Sequence, residues 1–303
     1  MRWTAVVNPT AGRGRTEKLL PRLRRALEAV GVAVHVASDL DDSLDSARRA
    51  VDRGEHVVAC GGDGTVSELA AIVADSESVL GIVPTGAGND FARHLGIDPR
   101  RPLDAIDTLT AGPVGAVDLG RAQSADGVAA VFTTVANTGF DADANQWAND
   151  VRWATGVPLY VAAMLRTLAA YRPQPLRISV DGVTWEGDAW LAAVANTRYY
   201  AGGMMIAPGA EVDDGALDVC IVRGTSTAEL LMRFPRVYRG THVGLESVVT
   251  MRGASVELQS VGGDRPMEVW ASGERIGPLP AAIEVQPGAL RVALPPGAPV
   301  RIT

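Results

Sequence analysis

The stretch Val57–Val73, VVACGGDGTVSELAAIV, sets an apolar run directly against a glycine-rich turn and then a helical pattern. A strand, a tight turn and a helix in that order form one unit of a parallel sheet, whose strands need crossover helices covering both faces. The same grammar fills residues 3 to about 118. TAVVN is a strand, and Leu19, Leu20, Leu23, Leu27 and Val30 then recur at helical spacing up to Gly31. VAVHVA, a helix over about 43 to 53, HVVAC, a helix over about 65 to 74 and the strand VLGIV follow. The expectation is an α/β fold whose N-terminal part is a doubly wound, mostly parallel sheet.

After about residue 118 the pattern changes to short β-rich runs with turns, among them VFTTVAN, LRISVDGVTWEGDAWLAAVAN, LDVCIV and IEVQPGALRVALP. Asp181-Gly182 between two such runs is a hairpin signal. This half is expected to be an antiparallel β-sandwich, interrupted by helices over about 157 to 171 and 227 to 239. A chain of 303 residues, at roughly 150 per domain, divides into two. The expected division is 1–118 and 119–287, with a cleft between them.

A formal net charge of -7 opposes a nucleic-acid partner, which needs a basic footprint. Lys18 is the only lysine, so neither a Walker A loop nor a protein-kinase strand lysine is present. Any phosphate chemistry must rest on arginine, metal and backbone amides. Cys60 and Cys220 form no Cys-x-x-Cys pair, which favours a reducing compartment over a disulfide framework. The chain enters a strand pattern at once, without a signal-peptide region, and no apolar run approaches the ~20 residues that span a bilayer. A cytoplasmic protein, or one bound peripherally to the inner face of the membrane, is the expectation.

Gly61-Gly62-Asp63-Gly64-Thr65 stands where an apolar strand ends and a helix begins, the edge at which open α/β sheets bind ligands. Glycines let backbone amides approach an anion, and the helix N-terminus adds partial positive charge. As plain structure the same residues make a tight turn, with Thr65 as N-cap and Glu68 completing a capping box. Asp63 argues for more, because a carboxylate beside an anion nest is unfavourable unless a cation lies between, such as a nucleotide-bound Mg²⁺. NPTAGRG (Asn8–Gly14) follows the first strand, and PTGAGNDFARHLG (Pro84–Gly96) follows VLGIV. Each alone is an ordinary turn; three on one sheet edge are a more specific signal.

In this order and spacing NPTAG, GGDGT and PTGAGNDFAR resemble the catalytic domain of the diacylglycerol kinase family of lipid kinases, bacterial soluble type. NTGFDAD (Asn137–Asp143), VANTRYYAGGMMIAPGAEVDDGALDVCIV, SGERIG and VQPGALRVALP extend the resemblance over nearly the whole chain. It implies a nucleotide-binding α/β domain, a β-sandwich domain, an active site in the cleft, and last strands that return to the first domain after about residue 288. It implies ATP phosphates against Asn8, Pro9, Thr10, Ala11 and Gly12, and against Gly61, Gly62, Asp63, Gly64, Thr65, Val66 and Ser67. The adenosine side would involve Ser38 and Gly86, Ala87, Gly88 and Asn89. Asp63 would hold the catalytic Mg²⁺ through water, and Glu274 would be the general base. A structural Mg²⁺ would sit on the Asp214 carboxylate and the backbone oxygens of Glu211 and Ala216; without the family those residues are a plain turn.

Two positions depart from the family pattern. Ala87 replaces a threonine whose hydroxyl would contact the nucleotide, a loss of roughly 1 kcal/mol, and Ser272 replaces the first aspartate of Asp-Gly-Glu. STAELLMRFPRVYRGTHVG spaces Arg233, Arg236 and Arg239 among Leu230, Leu231, Phe234 and Tyr238, either a membrane-facing edge or a half-buried helix with solvated arginines. Trp147, Trp153 and Tyr160 could wall an acyl-chain groove or pack a core. The implied activity is ATP- and Mg²⁺-dependent phosphorylation of diacylglycerol to phosphatidic acid. The alternatives are a kinase for a sphingoid base, ceramide or another glycerolipid, an NAD kinase-like enzyme, and a nucleotide-binding regulator without turnover. A second copy of the chain is an open question among its partners.

Overall fold

The computed structural model describes residues 2–140, 171–263 and 265–300. Its N-terminal part alternates β1 (Trp3–Val7), α1 (Ala11–Ala29), β2 (Ala33–Val36), α2 (Leu40–Asp52), β3 (His56–Gly61), α3 (Asp63–Val73), β4 (Leu80–Pro84), the short α4 (Asp90–His94) and α5 (Ile106–Ala111). The strands lie in the order β2-β1-β3-β4, all parallel. Alternate side chains of β1 enter opposite cores: Val6 joins Ala59, Leu69 and Ile82, whereas Ala5 and Val7 join Leu23, Leu27 and Val58. Both faces are therefore covered, and β1 and β4 are buried along their whole length.

Three helix ends differ from the sequence pattern for local reasons. Positive φ at Gly12, Arg13 and Gly14 interrupts the start of α1, so its regular turns begin near Arg15. At its other end Val30 is the exposed C-cap, not part of the buried stripe, and Gly31 at φ +79° turns the chain away. α2 starts at Leu40 because the Asp39 carboxylate accepts from the Asp42 amide at 2.9 Å.

The second half is antiparallel. β5 (Val114–Ser124), β6 (Ala129–Phe132), β7 (Val135–Gly139), β8 (Gln174–Val180), β9 (Val183–Ala195) and β10 (Leu217–Arg223) precede the helix α6 (Thr227–Arg233). β11 (Val248–Gly253), β12 (Ser255–Ser260), β13 (Glu268–Ala271), β14 (Glu274–Pro278) and β15 (Ala281–Ala293) complete it. The strands run β14-β13-β7-β9-β8-β12-β15, with β10 also on β9, in a sandwich-like wrap around Phe132, Leu176, Ile178, Val194, Val219 and Ile283. Asp181-Gly182, both at positive φ, is the tight turn between β8 and β9. α6 follows the sequence pattern only to Arg233, after which Phe234–Arg239 tightens into a 3₁₀ turn. Asp141, Asp143, Trp147, Trp153 and Tyr160, and the helix expected over 157 to 171 apart from Tyr171, lie outside the described residues.

β15 ties the halves together. It pairs antiparallel with β5 and β12, and Val292 pairs parallel with Leu80 of β4. Between Gln286 and Leu290 its register shifts, so Pro287, Gly288 and Ala289 lie opposite Asp118 alone. Proline tolerates such a bulge, where no ladder amide is needed. Asp118 fastens it: Oδ1 accepts from Gly288 N and Oδ2 from Gly215 N, both at 2.7 Å. Its backbone carbonyl accepts from Asn196 Nδ2 at 2.9 Å. Burial pushes the Asp118 carboxyl up, and the two amides pull against that shift. Asp118→Ala strands both amides and is expected to destabilise the chain by on the order of 3 kcal/mol, read as a lower urea midpoint. An unchanged midpoint would show that strand pairing alone holds the bulge.

Candidate active site

β1 has β2 on one side and β3 on the other, so the order of the chain reverses there and a crevice opens at the carboxyl ends of the strands. The turns after β1 and β3 flank this crevice, and the turn after β4 lies next to them. Asn8 joins the first two: its amide bonds Cys60 O at 3.0 Å and its Nδ2 donates to Thr65 Oγ1 at 3.0 Å. Asn8 Oδ1 also accepts from Thr10 N and Thr10 Oγ1, which folds the turn back on itself. The third turn is tied on by Thr85 N and Gly86 N, both donating to Gly61 O, and by Thr16 Oγ1 to Thr85 Oγ1 at 2.7 Å. Asn89, left-handed at φ 55°, closes the loop on Gly86 through both its side-chain atoms.

The glycines serve these turn-to-turn contacts. A Cβ on Gly86 would stand 2.3 Å from Gly62 Cα, one on Gly12 would stand 2.4 Å from Thr85 O, and one on Gly61 would meet Thr65 Cβ at 2.5 Å. Only Gly64 of the GGDGT run faces open space. Gly62, not Thr65, is the N-cap of α3, and no side chain caps the helix. Thr65 is instead in the first turn, with its hydroxyl taken by Asn8, so the capping-box reading of Thr65 and Glu68 fails. Val66 and Ser67 are buried and engaged elsewhere. Pro9, Thr10, Ala11, Gly12, Ala87 and Gly88 are exposed or half-buried in the turns after β1 and β4. Ser38, at the end of the edge strand β2, bonds Asp42 at the start of α2.

Asp63 opens α3 with Oδ1 accepting from Phe91 N at 3.1 Å. Burial and the neighbouring Asp90 carboxylate push its pKa up to about 6, against the pull of the amides of Phe91, Asp90 and Asn89. Asp90 is itself raised by burial, and its Oδ1 is buried without a hydrogen bond, 3.5 Å from Arg93 Nε. A Cβ on Gly88 would fall 2.8 Å from Asp63 Oδ2 and 3.3 Å from Asp90 Oδ2. Two crowded carboxyls of raised pKa beside an uncapped helix start fit a divalent cation, whose charge would relieve both.

The second half closes on this edge. Asp90 Oδ2 accepts from Gly202 N at 2.7 Å, and His94 Nδ1 accepts from Arg198 N at 3.1 Å. Burial, aided by Arg198, holds His94 down to about 4 and thus neutral. Ser67 Oγ meets Ser272 Oγ and Thr133 Oγ1, both at 2.8 Å. Ser272 and Gly273, at φ 49° and 87°, form the two-residue turn that presents Glu274, exposed, at the head of β14. Ser272, where the family has aspartate, thus makes the contact to α3. Glu68, one residue past Ser67, was legible only as a capping residue; burial and then Glu274 push its pKa up to about 7.

The proposed structural-metal loop has a different set of partners. Arg252 Nη2 is ion-paired with Asp214, and its Nε stands 3.6 Å from Asp218 Oδ2. Asp214 Oδ1 accepts from Ala216 N, and the Glu211 carboxylate pairs with Arg198 at 2.7 Å. Among the described residues no group of three or more His, Cys, Asp or Glu side chains is arranged to hold a metal ion. In this arrangement a guanidinium stands against Asp214, where the resemblance implies the ion.

Glu68 gives a pH test. Its folded pKa of about 7 lies above the ordinary 4.5, so the folded chain holds a proton that the unfolded chain releases. This group's contribution to stability is therefore lost as pH rises from about 4.5 through about 7. Glu68→Gln is expected to raise the melting temperature, relative to the parent, more at about pH 8 than at about pH 5. Equal differences would show an ordinary Glu68. For the loop, replacing Mg²⁺ by EDTA is expected to leave unaltered any part of the melting temperature that depends on Asp214. A Mg²⁺-dependent rise that Asp214→Asn removes would put an ion in the place of Arg252.

Residues 2–122 match the family model described as "Diacylglycerol kinase catalytic domain", and residues 134–294 match "YegS C-terminal NAD kinase beta sandwich-like domain". A "Diacylglycerol kinase" of Mycobacterium tuberculosis (strain CDC 1551 / Oshkosh) is 39% identical over 299 residues, 96% of this chain and 94% of that protein. A "Probable lipid kinase YegS-like" of Stenotrophomonas maltophilia (strain K279a) is 30% identical over 311 residues, 99% and 98% of the two chains. The crystal structure of a diacylglycerol kinase from Bacillus anthracis str. Sterne superposes with a TM-score of 0.73 over 97% of each chain, at 21% identity, and so speaks to the fold. With both halves matched and a relative similar along almost its whole length, the chain belongs to the diacylglycerol kinase catalytic domain family of lipid kinases, of the bacterial YegS-like type.

Proposed function

We propose that the protein transfers the γ-phosphoryl group of ATP, with Mg²⁺, to the free hydroxyl of diacylglycerol, giving phosphatidic acid. The observation that carries this reading is the Ser67–Ser272 hydrogen bond, since it joins the helix that begins at Asp63 to the turn that presents Glu274. A phosphate site and a carboxylate base in one cleft are what phosphoryl transfer to an alcohol requires.

In this reading the phosphates lie against Asn8, Pro9, Thr10, Ala11 and Gly12 and the uncapped first turn of α3, Asp63 to Thr65. Gly86 to Asn89 and Ser38 serve the adenosine side. Asp63, with Asp90 behind it, would hold Mg²⁺, which supplies neutralising charge for the phosphates. Glu274 accepts the proton of the acceptor hydroxyl as its oxygen bonds to the γ-phosphorus. The bond from that phosphorus to the bridging oxygen breaks, and ADP leaves with the electron pair. An exposed carboxylate suffices as base because the proton moves late in a loose transition state.

A lipid acceptor is supported by an apolar pocket in the second half. Leu191, Ile206, Val222, Leu230, Phe234 and Val248 line a small pocket of about 60 Å³ that opens to the surface. Leu191 pairs with Gly139 on β7, and Ala136 of the same strand pairs with Ala271, next to Ser272. Leu231, Met232 and Tyr238 are exposed beside the pocket, and Arg233 is paired with Glu229 at 3.1 Å. Among the described residues no helix is long and apolar enough to cross a membrane, so the acceptor would be met at a bilayer face.

The test is incubation with labelled ATP, Mg²⁺ and dispersed diacylglycerol, sphingoid base, ceramide and NAD. Label is expected in phosphatidic acid, and Glu274→Ala is expected to lower kcat by roughly 10²–10⁴-fold while ATP binding persists. Label confined to another lipid would change the acceptor, and label in NAD alone would remove the lipid. ATP binding without any product would mark a regulator.

A further inference from the structure

Glu68 has no task in the reaction proposed above, although it stands beside the proposed base. It follows Ser67, whose hydroxyl holds the turn that presents Glu274, and the Glu274 charge acts on it. On α3 it lies one turn, about 6 Å, beyond Gly64 and on the same face of the helix. Gly64 faces open space, so no neighbour covers the start of that face. Glu68 is half-buried, and among the described residues it has neither a hydrogen bond nor an ion pair. A carboxyl withdrawn from water without a partner is costly unless a ligand supplies one. Among the described residues Glu274 is the one charge that shifts it. β4 and β6, which pack on α3, carry no ionisable group, and those of α2, β3 and β15 do not act on it.

From this pair we infer that Glu68 is a positioning residue for the acceptor, donating a hydrogen bond to an ester carbonyl oxygen next to the hydroxyl that Glu274 serves, and so selecting an ester-bearing glycerolipid. The inference rests on the proposed reaction. A protonated carboxyl donates one hydrogen bond, whereas a carboxylate only accepts. Burial, and then Glu274, push Glu68 up to about 7, so the half-buried member of the pair is the one that holds a proton. In diacylglycerol an ester stands on the carbon beside the one that bears the free hydroxyl. One head therefore offers an acceptor to Glu68 and a donor to Glu274. Glu68 keeps its proton throughout, and the proton of the hydroxyl goes to Glu274. An alcohol without a neighbouring ester matches Glu274 alone.

The test compares KM for a short-chain diacylglycerol with KM for the matching dialkylglycerol ether, which keeps the hydroxyl but lacks the carbonyls, in nonionic detergent micelles across a range of pH. With the ester, the parent's KM is expected to rise roughly fivefold as pH rises through about 7, because ionised Glu68 no longer donates. Glu68→Gln, which donates at every pH, is expected to hold the low value throughout, and Glu68→Ala to show the high value throughout. With the ether, the parent and both variants are expected to share one KM that does not follow Glu68. Should Glu68→Ala fail to fold, the parent and Glu68→Gln decide between them. A Glu68→Gln variant that keeps the parent's pH dependence, or the same rise of KM with the ether, would overturn the inference and leave the reaction standing. A parent that phosphorylates no diacylglycerol at any pH overturns the proposed reaction, and this inference with it.

Discussion

The two amides held by the Asp118 carboxylate govern how the halves meet. Gly288 belongs to the bulge of β15 and Gly215 to the loop before β10, so one buried side chain fixes two segments distant in sequence. On either side of the bulge β15 stays antiparallel to β5, and it also has β12 antiparallel and β4 parallel as partners. A one-residue slip would turn its core side chains outward. The strand pairing of β15 with β4, β5 and β12 joins the α/β part and the sandwich-like part into one hydrogen-bonded sheet.

At the candidate site three turns are packed so closely that glycine is required where they touch, and hydrogen bonds to Gly61 O and among Asn8, Thr65, Thr16 and Thr85 hold them. That rigidity keeps Asp63 and Asp90 crowded, with their carboxyls raised toward the neutral form. In the proposed reaction, dipoles so oriented would meet phosphate charge without reorganisation.

Much of the first half was legible in the sequence because its strands are buried on both faces and its helices keep a plain apolar spacing. GGDGT was legible as a turn at a strand end, but the reason for its glycines was not. Gly62 is small because Gly86 lies against it, and that contact joins separate turns. Thr65 had the composition of an N-cap, yet Asn8, 57 residues away, takes its hydroxyl. Long-range partners hid the rest: Gly202 for Asp90, Ser272 for Ser67, Glu274 for Glu68 and Arg252 for Asp214. Periodicity and turn chemistry report neighbours along the chain, whereas burial and charge in a cleft are set by what folds over it.

Ser272 shows how a departure from a family pattern can be absorbed. An aspartate there would bring a third carboxylate close to Glu68 and Glu274, where burial already holds Glu68 near neutrality. Serine instead shares one short hydrogen bond with Ser67 and a longer one, 3.4 Å, with Thr134, so the turn is positioned without added charge. Because Ser272 and Gly273 adopt the left-handed conformations of a tight hairpin turn, Glu274 is aimed by the backbone of β13 and β14 as well as by that contact. The orientation of the base in the proposed reaction therefore rests on sheet geometry, and the serine hydroxyl keeps α3 seated against it.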